Sequence, residues 1–183
     1  MKAMKTKMLI FVFLLGITDL FAQTLYVPGT IVKGKNASYY CSTEYEILIK
    51  VNNVNNVDTT TTMYYDDGTV VPHYVGLGGT IATKTEDLVR VFQEALTQEE
   101  IDILKSKISY SLLLDIVADK QGNTLEITFS FRSNDPVMTK FDPDRLYQLE
   151  QNLKKVLKLN PSKADSSIKN MKYFLPIDYK DLK

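Results

Sequence analysis

The chain has 183 residues, with 22 basic and 22 acidic side chains, one Cys, one His and no Trp. Balanced charge with 44% hydrophobic residues excludes a disordered polyelectrolyte and a basic nucleic-acid arm. A single cysteine excludes an intrachain disulfide framework and a cysteine-rich zinc site, and a single histidine excludes a His cluster.

Residues 1–22 read as an export signal. Lys2, Lys5 and Lys7 form a positive start, Met8 to Ile17 an apolar run, and Ala22 ends the segment. The run is half of the ~20 apolar residues that a spanning helix requires. Cleavage is expected after Ala22, leaving Gln23 first and no stable membrane span. No cysteine lies near the cut, so lipid anchoring is not expected. Removing Lys2, Lys5, Lys7 and Asp19 from 22 and 22 charges leaves 19 basic and 21 acidic ones. That balance offers no steering towards nucleic acid or anionic lipid. The expected location is the periplasm or exterior of a Gram-negative envelope.

Residues 23–82 are rich in Tyr, Thr, Val, Asn and Gly, which favours strands and turns. Tyr45 to Val51 alternates as a half-buried strand, and Asn52 to Asn56 reads as a turn. Thr59–Tyr65 and Thr69–Val75 flank Asp66-Asp67-Gly68, a hairpin signal. In residues 83–183, Thr83 with Glu86 and Thr97 with Glu100 match the capping box, predicting helices over 84–95 and 98–108. Leu112, Leu114, Ile116 and Ala118 share one face of a strand. Leu125, Ile127, Phe129 and Phe131 share one face of the next, with Asp119-Lys120-Gln121-Gly122 between them. The expected register pairs Ile116 with Leu125 and Leu114 with Ile127. Asp142 and Pro143 open a helix whose stripe is Leu146, Leu149, Leu153, Val156 and Leu157. Met171, Tyr173, Leu175, Ile177 and Tyr179 alternate as a last strand, which Pro176 confines to a sheet edge or a bulge. The fold class is α+β: a β-rich N-terminal segment (23–82), then a helix–hairpin–helix–strand unit (83–183), or one continuous domain over 23–183.

That second unit resembles the C-terminal domain of TonB-type energy transducers. The resemblance rests on the hairpin around Asp119-Lys120-Gln121-Gly122 and the amphipathic helix after Phe141-Asp142-Pro143. It rests also on the closing Phe174-Leu175-Pro176-Ile177-Asp178-Tyr179, and it covers about the last hundred residues. It implies a fold and the habit of binding short partner segments at a strand edge. It does not imply energy transduction, because the membrane helix and Pro-rich linker of TonB have no counterpart here. The whole chain is similar to an uncharacterised exported family of Bacteroidetes-type gut bacteria.

The candidate chemistry is sparse. Gly76-Leu77-Gly78-Gly79 lacks the spacing and the Gly-Lys-Ser/Thr of a phosphate loop, and reads as a connection. Cys41 and His73 carry no local signature of a nucleophile and its base. Asp58, Asp66 and Asp67 lack the alternate spacing and terminal Glu of a calcium loop. Glu99, Glu100 and Asp102 fall in a helical first turn, where negative charge is stabilised without catalysis. No catalytic set, metal site or cofactor is expected. Six of the eleven tyrosines (Tyr39, Tyr40, Tyr45, Tyr64, Tyr65 and Tyr74) fall between residues 39 and 74. Strand preference accounts for tyrosine there, and so does a contact surface. Asp58-Thr59-Thr60 fits a short O-glycosylation pattern at Thr59. The expected function is a non-enzymatic exported protein contacting an envelope protein, with Tyr173, Leu175 and Ile177 as the binding strand. The alternative is a small-ligand or glycan module built on Tyr64, Tyr65 and Tyr74.

Overall fold

The computed structural model describes residues 24–57, 62–72, 79–106, 111–163 and 166–182. The expected export signal, Asp58, Thr59, His73, Tyr74, Gly76 and Gly78 lie outside them. Three strands open the fold: β1 (Ile31–Lys33), β2 (Ser38–Glu44) and β3 (Leu48–Asn53). The strand expected from Tyr45 starts three residues later, because the register pairs Glu44 with Leu48 and the chain must reverse between them. Tyr45 and Glu46 turn it at φ of 52° and 61°, a conformation that neither residue type advertises. Asn52 and Asn53, expected in a turn, instead complete β3; the reversal begins after them.

After a two-residue strand β4 (Thr80–Ile81) come α1 (Thr85–Ala95) and α2 (Gln98–Lys105). The capping box at Thr97 and Glu100 forms as expected. The one at Thr83 does not: Lys84 is the N-cap and offers no side-chain bond. The Thr83 hydroxyl donates instead to the Val156 carbonyl (2.9 Å) and accepts from the Lys158 N–H (2.7 Å), tying this turn to the end of the last helix. A long-range partner has taken the oxygen that the local motif would have used.

β5 (Ser111–Ala118) and β6 (Thr124–Arg132) form the expected hairpin in a different register. Ile116 faces Ile127 and Leu114 faces Phe129, two residues from the expected pairing. The connection closes at Asp119 and Asn123, one residue later than expected, and a bulge between Val117 and Ala118 adds the second residue of the shift; Leu125 is left 43% exposed. Gly122 sits at φ +78° in the connection, and a Cβ there would meet the Leu159 carbonyl oxygen at 1.9 Å. α3 (Pro143–Val156) is capped by the Asp142 carboxylate, which accepts from the N–H groups of Asp144 and Arg145. β7 (Leu159–Asn160) pairs with β4, and β8 (Met171–Asp178) ends in a 3-10 turn at Tyr179–Asp181. Tyr179, expected to continue the strand, lies in that turn and is buried.

The large sheet is antiparallel throughout, in the order β1-β2-β3-β6-β5-β8. Strands from the first sixty residues of the predicted mature chain and from the last hundred therefore share one sheet. Its covered face carries Cys41, Ile49, Val51, Leu114, Ile116, Ile127, Phe129 and Phe131. These pack in one cluster with Leu88, Phe92, Leu104, Leu146, Leu149 and Leu153 of the helices. Each fully buried aliphatic or Phe side chain contributes roughly 1.5–3 kcal/mol relative to exposure. The opposite face is polar: Lys50 pairs with Asp115 (2.7 Å), and the Thr128 hydroxyl donates to Asn52 Oδ1 (2.7 Å). One face wet and one dry is the economy of an antiparallel sheet. No described helix is long and apolar enough to cross a membrane.

Candidate interaction edge

β8 ends the sheet, and Pro176 lies in it, as its missing N–H requires. The hydrogen-bond pattern tells which backbone groups face outwards. Ser133 N–H donates to the Ile47 carbonyl (2.9 Å), one step beyond the Leu48–Arg132 pair. In an antiparallel ladder, successive residues turn their N–H and C=O to alternate sides. Phe131 and Phe129 thus bond β3, while Ser130 and Thr128 bond β5 through Leu113 and Asp115. Leu112, Leu114 and Ile116 then turn to β8, where they meet Ile177, Leu175 and Tyr173. The outward row is left to Phe174, Pro176 and Asp178. No described strand pairs with that side. Proline is harmless here because it removes a donor that the sheet does not use.

Side chains alternate in the opposite sense to this bookkeeping of bonds. Tyr173, Leu175 and Ile177, the expected binding residues, are half-buried and pack on the core. Phe174 stands on the polar face, 60% exposed. Beside the edge, α1 and β8 enclose a trough of about 170 Å³. Leu88, Val89, Phe92, Leu175, Ile177 and Leu182 form its apolar wall. An open hollow of about 420 Å³ continues it past Thr85, Val89, Glu86, Gln93 and Asp181. Asp178 and Asp181 border the trough, Glu86 borders the hollow, and no lysine or arginine lines either.

The turn after β8 is held by a buried carboxylate. Asp135 accepts from the N–H groups of Val137 (3.0 Å) and Met138 (2.8 Å) and from the Tyr179 hydroxyl (2.9 Å). Burial pushes both the Asp135 carboxyl and the Tyr179 phenol above their ordinary pKa ranges. This clamp fixes the turn that carries Asp181 and leads into Leu182 at the trough. At the far corner, Arg145 grips Glu100 through two bonds (2.8 and 2.6 Å) and lies over the Phe141 ring at 4.4 Å. It thereby fastens α2 to the start of α3.

The tyrosines do not converge. Tyr39 is fully buried, its hydroxyl donating to Glu150 (2.9 Å), and its pKa is pushed up by burial and then by that carboxylate. Tyr40 and Tyr45 are exposed on β2 and on its turn. Tyr64 bridges to Val70 across the Asp66-Asp67-Gly68 turn, so the expected hairpin is present in its described part. Tyr64 also borders a hollow of about 200 Å³ with Val57, Thr62, Met63, Lys169 and Asn170. Tyr65 packs instead with Tyr173 around Val71, Ile168 and Met171, which joins one expected binding residue from each half of the chain. Among the described residues no three His, Cys, Asp or Glu side chains are grouped to hold a metal. Cys41 is buried, and burial pushes its thiol up to about 11. A thiol so protonated is a poor nucleophile.

The useful residues that sequence reasoning missed are Phe174 on the outward row and Thr85, Val89, Asp181 and Leu182 at the trough. Phe174 was within reach: it shares parity with Pro176, and a strand proline points its nitrogen outwards. The trough was not, because only packing brings α1 beside β8.

No protein-family model matches the chain, and neither does any curated protein. Among solved structures, the chain is similar to the crystal structure of a DUF5043 family protein from Bacteroides uniformis ATCC 8492. The TM-score is 0.68 at 15% identity, over 87% of this chain and 96% of that one. The two share a fold, which in this chain is a mixed α and β architecture on a six-stranded antiparallel sheet.

Proposed function

We propose that this is an exported, non-enzymatic protein that acts through protein–protein contacts in the cell envelope. An extended segment of an envelope partner adds as a strand to β8. The observation that carries this reading is the outward backbone row at Phe174, Pro176 and Asp178 on the terminal strand of the sheet. Such a row supplies affinity through main-chain bonds, with alternate side chains supplying specificity. Pro176 narrows the choice of register, because an antiparallel partner can exchange both bonds at Phe174 and not at Pro176. The TonB-like order of helix, hairpin, helix and strand supports the reading by analogy of fold alone. A glycan or small-ligand role for the Tyr-rich half has less support. The hollow beside Tyr64 is about 200 Å³, below the ~300 Å³ from which small-ligand pockets usually start.

The test is a proline substitution read by partner capture, with site-specific crosslinking beside it. Phe174→Pro removes an outward donor and should abolish capture from envelope extract, while circular dichroism stays native. A photo-crosslinker in place of Phe174 should label the same partner, and one in place of Tyr40 should not. Capture that survives Phe174→Pro would refute strand addition at β8.

A further inference from the structure

Resting on that reading, we infer what the added segment looks like: an extended stretch that places an aliphatic side chain in the trough between α1 and β8, flanked by lysine or arginine. The trough wall is apolar, through Leu88, Val89, Phe92, Leu175, Ile177 and Leu182. Its apolar volume of about 170 Å³ has room for a protruding aliphatic side chain. A strand laid on the outward row of β8 sends every second side chain towards the helix side of the sheet, where this trough lies. The charged residues that line it and its continuation are of one sign. Glu86 is in the first turn of α1, Asp178 ends β8, and Asp181 is in the turn that follows. All three are exposed and border the trough or its continuation, with no basic residue among the lining.

These carboxylates are not consumed by the fold. Asp178 Oδ1 accepts the Lys180 N–H as a local cap. None of the three forms an ion pair among the described residues. Three like charges around an apolar slot repel an acidic segment as much as they attract a basic one, so they select partners as well as hold them. Without the expected export signal the chain carries 19 basic and 21 acidic residues, close to neutral, so the selectivity is local to this edge.

The experiment measures fluorescence anisotropy of two labelled peptides with the purified protein, Lys-Ile-Thr-Ile-Thr-Ile-Lys and its Glu-flanked counterpart. The Lys-flanked peptide should bind roughly tenfold tighter at low salt, with the preference shrinking at 0.5 M salt, a concentration at which the screening length is about 4 Å. Replacing Glu86 by Gln, Asp178 by Asn and Asp181 by Asn together should erase the preference while the asparagine still caps Lys180. Thr85→Tyr, which adds bulk on the α1 side of the trough and leaves the backbone of β8 unchanged, should weaken both peptides. Phe174→Pro should abolish both. Equal binding of the two peptides, lost on Phe174→Pro, would overturn the charge inference and leave strand addition standing. Binding indifferent to Thr85→Tyr and to the neutralised triple variant would overturn the trough as the site. Failure of both peptides to bind at millimolar concentration would overturn both.

Discussion

Glu150 is the most exposed test of how this fold is held together, because it is a carboxylate with 0% exposure in the helix stripe otherwise made of Leu146, Leu149 and Leu153. Its Oε2 accepts from the Tyr39 hydroxyl (2.9 Å) and the Asn53 amide (2.9 Å), and its Oε1 from Lys154 (2.6 Å). Glu150→Ala leaves two buried donors without an acceptor, each costing ~1–3 kcal/mol. Lys154 keeps 20% side-chain exposure and can turn to water, so it adds little. The expected loss is ~3–5 kcal/mol, the range for breaking a buried charged set. Tyr39→Phe removes one donor and leaves Glu150 with two partners, for ~1–1.5 kcal/mol. Urea unfolding of the two single variants and the double variant, at constant m, should reveal a coupling above ~1 kcal/mol. A loss below ~1 kcal/mol for Glu150→Ala, or additivity within ~0.3 kcal/mol, would show that the set does not hold α3 on the sheet.

Leu114→Ala and Leu149→Ala, both in the shared core, should each cost ~2–5 kcal/mol in the same assay, and losses under ~1 kcal/mol would contradict the packing. Backbone parity in β8 predicts an asymmetry between neighbours: Phe174→Pro should change stability by less than ~1 kcal/mol, whereas Tyr173→Pro, which loses a bond to Ile116, should cost more than ~2 kcal/mol. Equal losses would mean that the parity is wrong. Gly122→Ala should destabilise by more than ~1 kcal/mol, since the added Cβ meets a backbone carbonyl and the φ is unfavourable; a neutral result would mean that the turn relaxes freely. Burial raises the Glu100 pKa, but bonds from Arg145 and Thr97 outweigh it and hold the carboxyl below its ordinary 4.5. A depressed folded pKa contributes stability above the unfolded value that is lost as pH falls through the folded one. The stability gap between the native chain and Glu100→Gln should therefore be full at pH 6 and close below pH 4.5, and a gap independent of pH would refute the role of the charge.

Much of the local architecture was legible in the sequence because its causes are local. The Thr97–Glu100 box, the Asp142–Pro143 start and the Asp-Gly turn each use atoms within a few residues of one another. Pro176 announced an edge strand for the same reason: a missing N–H is a property of one residue. Where distant atoms competed, local reasoning lost. Thr83 gave its hydroxyl to the end of α3, seventy-odd residues away, and Tyr45 and Glu46 turned because β2 had to meet β3. The hairpin slipped by two residues and lost Leu125 from its apolar face, since neither a bulge nor the closing pair of a turn is announced by an alternating apolar pattern. The candidate edge divides in the same way. Sequence determined that β8 carries a proline and alternating apolar residues. Only the tertiary structure decided that α1 lies against it with Glu86, Asp178 and Asp181 around the trough, because that juxtaposition comes from packing two stripes on one sheet face, and packing is not encoded at any single position.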